Sequence, residues 1–187
     1  MIKYSIILFY LVIINQGIFV SAQSKLFTRA GRVVFYSKAA IEDIKAVNNQ
    51  VSCIYEVESN RLIANVLIKA FEFEKTLMQQ HFNENYLESD KYPKASFKGK
   101  INEIQNLSFK SNWTKTLEFE GDLTLHGITK DLKSTAMVTC NNGSLTVAVE
   151  FYIFLKDYNI KIPSTVINNI AEKVQVKVNL KLDEFKK

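Results

Sequence analysis

The sequence predicts a mainly β fold made of antiparallel strands, and two observations lead to this class. First, segments 117–125, 145–155 and 174–182 alternate apolar and polar residues with period two, so each strand has one apolar and one wet face. Second, turn residues separate such segments, and Asn142-Gly143 is a strong hairpin signal. Many short strands at this spacing indicate a barrel or a sandwich, and strands of about ten residues favour a tall barrel.

The composition predicts one globular domain without a nucleic-acid-binding surface. The chain has 187 residues and is 47% hydrophobic, enough for a substantial core, and it has only two prolines and six glycines. Its net charge is +5, but the 24 lysines and arginines are spread along the chain. Because nucleic-acid-binding proteins usually cluster their cations, we expect no nucleic acid partner.

Residues 1–22 predict a secretory signal peptide. Lys3 precedes a run of apolar residues at 6–14, and the segment closes with small residues up to Ala22. The apolar run is too short for a stable membrane span, although a retained anchor is the alternative. We therefore expect cleavage after Ala22, a β-barrel domain at 23–187, and a periplasmic or secreted protein.

Two segments break the alternation of the strands. Between residues 73 and 90, apolar residues recur with a period near 3.6, which predicts a short helix at 74–87 lying across a barrel end or beside the sheet. Segment 157–173 has no clean alternation and contains Pro163, which interrupts strand pairing. We expect a loop there, which could contain one helical turn.

Residue types that commonly act in catalysis or metal binding are few in this chain. His81 and His126 are the only histidines, and they lie 45 residues apart without the spacing of a metal site. No nucleophile motif accompanies them. We expect no catalytic site, no metal and two structural histidines, and a hydrolase or isomerase that uses either histidine is the alternative.

The two cysteines share the inward parity of their predicted strands. Export would permit a bond between Cys53 and Cys140, but it does not require one. Buried cysteines usually serve as inert packing. We therefore expect two buried free thiols.

Aromatic residues are abundant on the predicted inner surface. The chain holds 13 phenylalanines and eight tyrosines, and many of the phenylalanines fall on inward registers. A barrel of about eight strands either fills itself with side chains or leaves room for one ligand. Composition and alternation leave both alternatives open.

Three stretches resemble the signature of the YceI-like family: "HFNENYLESDKYPKASFKGKI" at 81–101, "GDLTLHGITKDL" at 121–132 and "DYNIKIP" at 157–163. Their order and spacing also match the family pattern, and the resemblance covers nearly all of the chain after residue 22. The chain departs from the pattern at Asn159, where glycine is common.

The resemblance implies an extended, antiparallel, eight-stranded β-barrel, lipocalin-like in shape, with one or two short helices. It implies no catalytic role for His126, which would lie at a turn between two strands with Gly127 supplying backbone freedom. It also implies an exported protein that binds an isoprenoid-like lipid or a fatty-acid-like amphiphile. We expect this lipid to be the only bound group. We also expect no stable membrane span, and the chain could form a homodimer.

The resemblance and the inward registers together predict the binding residues. We expect a continuous apolar cavity, closed at one end near the 74–87 helix and lined by Phe35, Val66, Ile68, Phe82, Phe97, Phe119, Val149, Phe151 and Val176. The alternative is a filled barrel that acts as a structural or protein-interaction module in the cell envelope.

Overall fold

The computed structural model describes residues 25–166 and 168–184, and the predicted signal peptide lies outside them. Within these residues, nine strands form one antiparallel sheet. Their bounds are β1 Lys25–Lys38, β2 Asp43–Glu56, β3 Arg61–Leu67, β4 Glu72–Phe73, β5 Lys94–Ile101, β6 Trp113–Leu125, β7 Ile128–Asn141, β8 Ser144–Phe154 and β9 Lys173–Glu184.

Eight of these strands close into a barrel. The strand order is β1-β9-β8-β7-β6-β5-β3-β2, and β1 pairs with β2 as well as with β9. The two-residue strand β4 pairs with β2 beside the ring. The predicted eight-stranded antiparallel barrel is therefore confirmed.

The alternating segments build the barrel interior. On β6, Leu117 and Phe119 are buried while Glu118 is exposed, and on β9, Leu180 and Leu182 are buried while Lys181 is exposed. Most of the buried residues form one large core, and a smaller cluster at one barrel end contains Ile68, Leu87, Leu125, Tyr158 and Ile160.

The predicted helix is present but shorter. Helix α1 spans Thr76–His81 and continues into a wider π turn at Phe82–Tyr86, so helical backbone covers 76–86 instead of 74–87. It begins late because Lys75 has extended backbone angles. It ends where the Leu87 N–H donates to the Phe82 carbonyl at 2.9 Å. No helix in the described part of the chain is long and apolar enough to cross a membrane.

The remaining connections contain short 3₁₀ turns. These turns span Ile68–Ala70, Ile104–Asn106, Leu155–Tyr158 and Ser164–Val166. The last two lie on either side of Pro163. The predicted loop at 157–173 therefore overlaps two helical turns, where one was expected.

Both cysteines are free and buried, which confirms the expectation of two unpaired thiols. Cys53 lies on β2 and Cys140 on β7, and these strands are not neighbours in the ring.

Candidate functional site

An apolar cavity of about 280 Å³ occupies one end of the barrel. Its wall comes from the last residues of β1 and β6, the first residues of β2, β5 and β9, and the helical segment. Antiparallel neighbours run in opposite directions, so these strand ends meet at one end of the ring. The cavity is partly enclosed, because Met78, His81 and Phe82 of the helical segment lie against its opening.

Six of the nine residues expected to line a cavity do lie in this wall. They are Phe35, Val66, Ile68, Phe82, Phe151 and Val176. The sequence prediction did not include Leu123, Ile153 and Val174, which also line it. These three share the inward parity of their strands, so the alternation already contained a signal for them.

The other three expected residues lie outside the cavity wall. Phe97 and Phe119 contact each other edge to face, with ring centroids 5.6 Å apart, and both pack on the large core. Val149 packs on the same core one inward position below Phe151. The cavity is therefore shorter than expected, because inward parity gives the face of a residue and not its height along the barrel.

Four phenylalanines join the barrel wall to the helical segment. The Phe35 and Phe82 rings stack, while Phe71 lies 5.5 Å and Phe73 lies 5.7 Å from the centre of the Phe35 ring. Aromatic pairs at such distances stabilise a contact beyond the area they bury. This cluster fixes the helical segment over one side of the cavity.

Few polar side chains line the cavity: Ser37 is buried in its wall, while Glu42 and His81 lie at its rim. Glu42, in the turn between β1 and β2, accepts a hydrogen bond of 2.6 Å from Lys75 Nζ, and this bond raises the pKa of the lysine. His81 lies on the exposed face of α1, and burial raises the pKa of the Tyr86 hydroxyl. Such a rim can orient a polar head group while the wall below contacts an apolar chain.

His126 lies at the tight turn between β6 and β7, outside the cavity wall. Its backbone has φ +51, and its ring is within 2.9 Å of the Tyr158 carbonyl oxygen and 2.8 Å of Glu88 Oε2. With these contacts, His126 joins the three signature stretches, and its expected place at a turn is confirmed.

The backbone conformation explains the residue type at two further positions of these stretches. Gly127 has φ +75, and a Cβ there would lie 2.5 Å from the Tyr92 ring, which leaves room only for glycine. Asn159 has φ +53, a left-handed conformation that asparagine tolerates better than most residues. The departure from glycine at this position therefore fits the backbone.

His126, the histidine that contacts a carboxylate in the described residues, lies outside the cavity wall, whereas His81 lines the cavity. No hydrogen bond joins His81 to a carboxylate among residues 25–166 and 168–184. Over the same residues, no three or more side chains of histidine, cysteine, aspartate or glutamate group as metal ligands.

Comparisons with known proteins agree with the fold. A polyisoprenoid-binding domain from Saccharophagus degradans superposes with a TM-score of 0.76 at 12% identity, over 87% of this chain and 99% of that one. Burkholderia cenocepacia BcnA gives 0.66 at 16% identity, over 82% and 96%. The Campylobacter jejuni YCEI protein gives 0.60 at 16%, over 79% and 88%.

At these identities, the structural matches show a shared fold. A search of curated protein sequences finds no significant match. The YceI-like domain family matches residues 21–182, which include all three signature stretches. The chain therefore belongs to the YceI-like family.

Proposed function

We propose that this protein is exported and binds the apolar chain of an isoprenoid-like lipid or another long-chain amphiphile. The observation that supports the proposal is the cavity of about 280 Å³, whose wall consists mainly of apolar side chains. The polyisoprenoid-binding domain that shares the fold adds support from a relative.

The physical driving force is the transfer of hydrocarbon out of water. Each buried methylene contributes roughly 0.8 kcal/mol, so a chain can be held with few polar contacts. Part of this gain offsets the lost translational freedom of the ligand. The four phenylalanines provide a large and rigid contact area at little entropic cost, which favours retention.

The main alternative is a filled barrel that presents its surface to another protein. A filled barrel has side chains in place of the cavity, so the open space at one end argues against this alternative.

The proposal is tested by native mass spectrometry of protein purified from its own cell envelope, followed by lipid extraction. We expect wild-type protein to carry an amphiphile. The variant Phe151→Trp should carry much less, because the larger ring occupies the cavity without adding charge. Tyr152→Trp is the matched control, since Tyr152 is the outward neighbour on β8 and is 49% exposed.

Two results would contradict the proposal. A wild-type protein that carries no lipid would favour the interaction module. A folded Phe151→Trp protein with its full lipid content would show that the chain is not seated in this cavity.

A further inference from the structure

We infer that Phe97 and Phe119 form the floor of the cavity and limit the seated part of the ligand to a chain of roughly ten carbons. The inference rests on the proposed function and specifies its ligand class. Such a floor would make the barrel selective for a medium-length chain, or for a longer ligand whose remaining length stays outside the opening.

The strand register places the floor directly below the cavity wall. On β5 and β6, Ala95 and Leu123 line the cavity, while Phe97 is the next inward residue after Ala95 and pairs with Leu123. Phe119 is two inward positions below Leu123 on the same strand. The two rings contact each other edge to face at 5.6 Å, and neither residue belongs to the cavity wall above them.

The opposite wall ends at the same height. On β8 and β9, the inward pair Phe151 and Val176 lines the cavity. The next inward pair along these strands, Val149 and Val178, does not line it. Val33, which pairs with Val178 on β1, still lines the cavity, so this wall ends within one inward position of that pair.

A pair of glycines makes room for the floor. Gly99 and Gly121 pair across β5 and β6 and face inward one position below Phe97 and Leu123. A Cβ on Gly99 would lie 2.6 Å from Cζ of Phe97, which shows that the phenyl ring leans over this glycine. The ring thus occupies space that a side chain at residue 99 would otherwise fill, while a Cβ on Gly121 would meet the backbone of Lys98 and Gly99.

The cavity volume sets the length of the seated chain. A methylene needs about the volume of a water molecule, roughly 30 Å³. A cavity of about 280 Å³ then holds roughly nine or ten methylenes. That is the length of a medium acyl chain or of about two isoprene units.

The test is a length series of straight-chain primary alcohols, from about eight to about sixteen carbons, titrated calorimetrically into purified protein. Each buried methylene lowers the dissociation constant roughly fourfold until the chain reaches the floor, after which the constant should level off. We expect this break near ten carbons in the wild type. Phe97→Ala frees on the order of 100 Å³ and should move the break about three carbons longer.

Two further variants keep the test informative if Phe97→Ala folds poorly. Phe97→Leu should move the break in the same direction by a smaller amount. Ala95→Phe places a ring in the cavity above the floor and should move the break to shorter chains without removing any core contact.

The matched control is Phe109→Ala, because the Phe109 ring stacks on Tyr55 in the packed core and does not line the cavity. It should keep the wild-type break. An unchanged break in Phe97→Leu and Ala95→Phe would overturn the floor while leaving lipid binding intact. A wild type that binds no alcohol of any length would overturn the proposed function itself.

Discussion

The ring of Phe35 on β1 stacks against the ring of Phe82 in the helical segment, with centroids 5.5 Å apart and an interplanar angle of 22°. This contact joins residues 47 positions apart in the chain. Phe71 and Phe73 lie against the Phe82 ring at 5.5 Å and 4.9 Å, so one ring contacts three others. Phe82 is therefore the main attachment of the helical segment to the barrel.

Phe82→Ala should detach the helical segment from the cavity rim. We expect the free energy of unfolding to fall by about 2–4 kcal/mol, because the ring is partly buried, and lipid retention to fall with it. Urea denaturation and native mass spectrometry measure the two effects. Leu77→Ala is the control on the same helix, 62% exposed, and should change stability by less than about 0.5 kcal/mol. Equal stability of the two variants would contradict the proposed attachment.

His126→Ala should destabilise the end of the barrel that contains the cavity. The substitution removes two hydrogen bonds from a side chain that is only 6% exposed, and it leaves the Tyr158 carbonyl without this donor. We expect a loss of about 1–3 kcal/mol in denaturant unfolding. His126→Asn tolerates the positive φ and should lose less, while His81→Ala should leave stability near the wild type. A His126→Ala protein as stable as the wild type would rule out this role.

The buried thiol of Cys53 should make stability depend on pH in the alkaline range. Burial raises the pKa of this thiol from 9.0 to about 12. The unfolded thiol keeps the ordinary value and releases its proton first, so the stabilisation is fully present below pH 9 and is lost as pH rises towards 12. Tyr55 acts in the same direction, since burial and then Glu58 raise its pKa from 10.0 to about 12.

The measurement is the free energy of unfolding in urea as a function of pH. We expect a decline on the order of a few kcal/mol between pH 9 and pH 12, with a smaller slope in Cys53→Ala. Val51→Ala is the control, because it deletes core volume on the same strand without removing a titrating group. It should be less stable at every pH but keep the wild-type slope. Equal slopes in Cys53→Ala and the wild type would show that the thiol does not contribute.

Export predicts a defined first residue of the mature protein. If residues 1–22 are removed, N-terminal analysis of protein from the periplasm or the medium should begin at Gln23. Replacing Ala22 with a bulky residue such as tryptophan should slow the cleavage, because the processing site requires small residues. Envelope-purified protein that retains Met1 would contradict this prediction.

Much of the fold could be predicted from local patterns in the sequence. Leu180 and Leu182 alternate with Lys181, and this period of two fixes which side of β9 meets the core. The family resemblance then supplied the number of strands. The helix was harder to delimit, because its first turn lacks a capping side chain and its last turn widens after His81.

The site was only partly predictable, because period-two alternation carries no information on height along a barrel. Phe151 and Phe119 both face inward, yet one lines the cavity and the other packs below it. The height is set by the register between paired strands, such as that which places Phe151 beside Val176. Glu42 could not be predicted as a rim residue from alternation, because it lies in a short turn between two strands. Its ion pair with Lys75 depends on the tertiary structure.

Closure of the ring by β1 and β9 has a consequence for how the chain can be rearranged. Leu26 pairs with Glu184, so the outer ends of the first and last strands lie side by side, at the barrel end opposite the cavity. The Asn142-Gly143 hairpin lies at that end too, and a side chain at Gly143 would meet nothing within 4 Å. A circular permutant with β9 linked to β1 and new termini at this hairpin would keep every strand neighbour. The chain thus has a connectivity that can be cut and rejoined at the end of the barrel opposite the cavity.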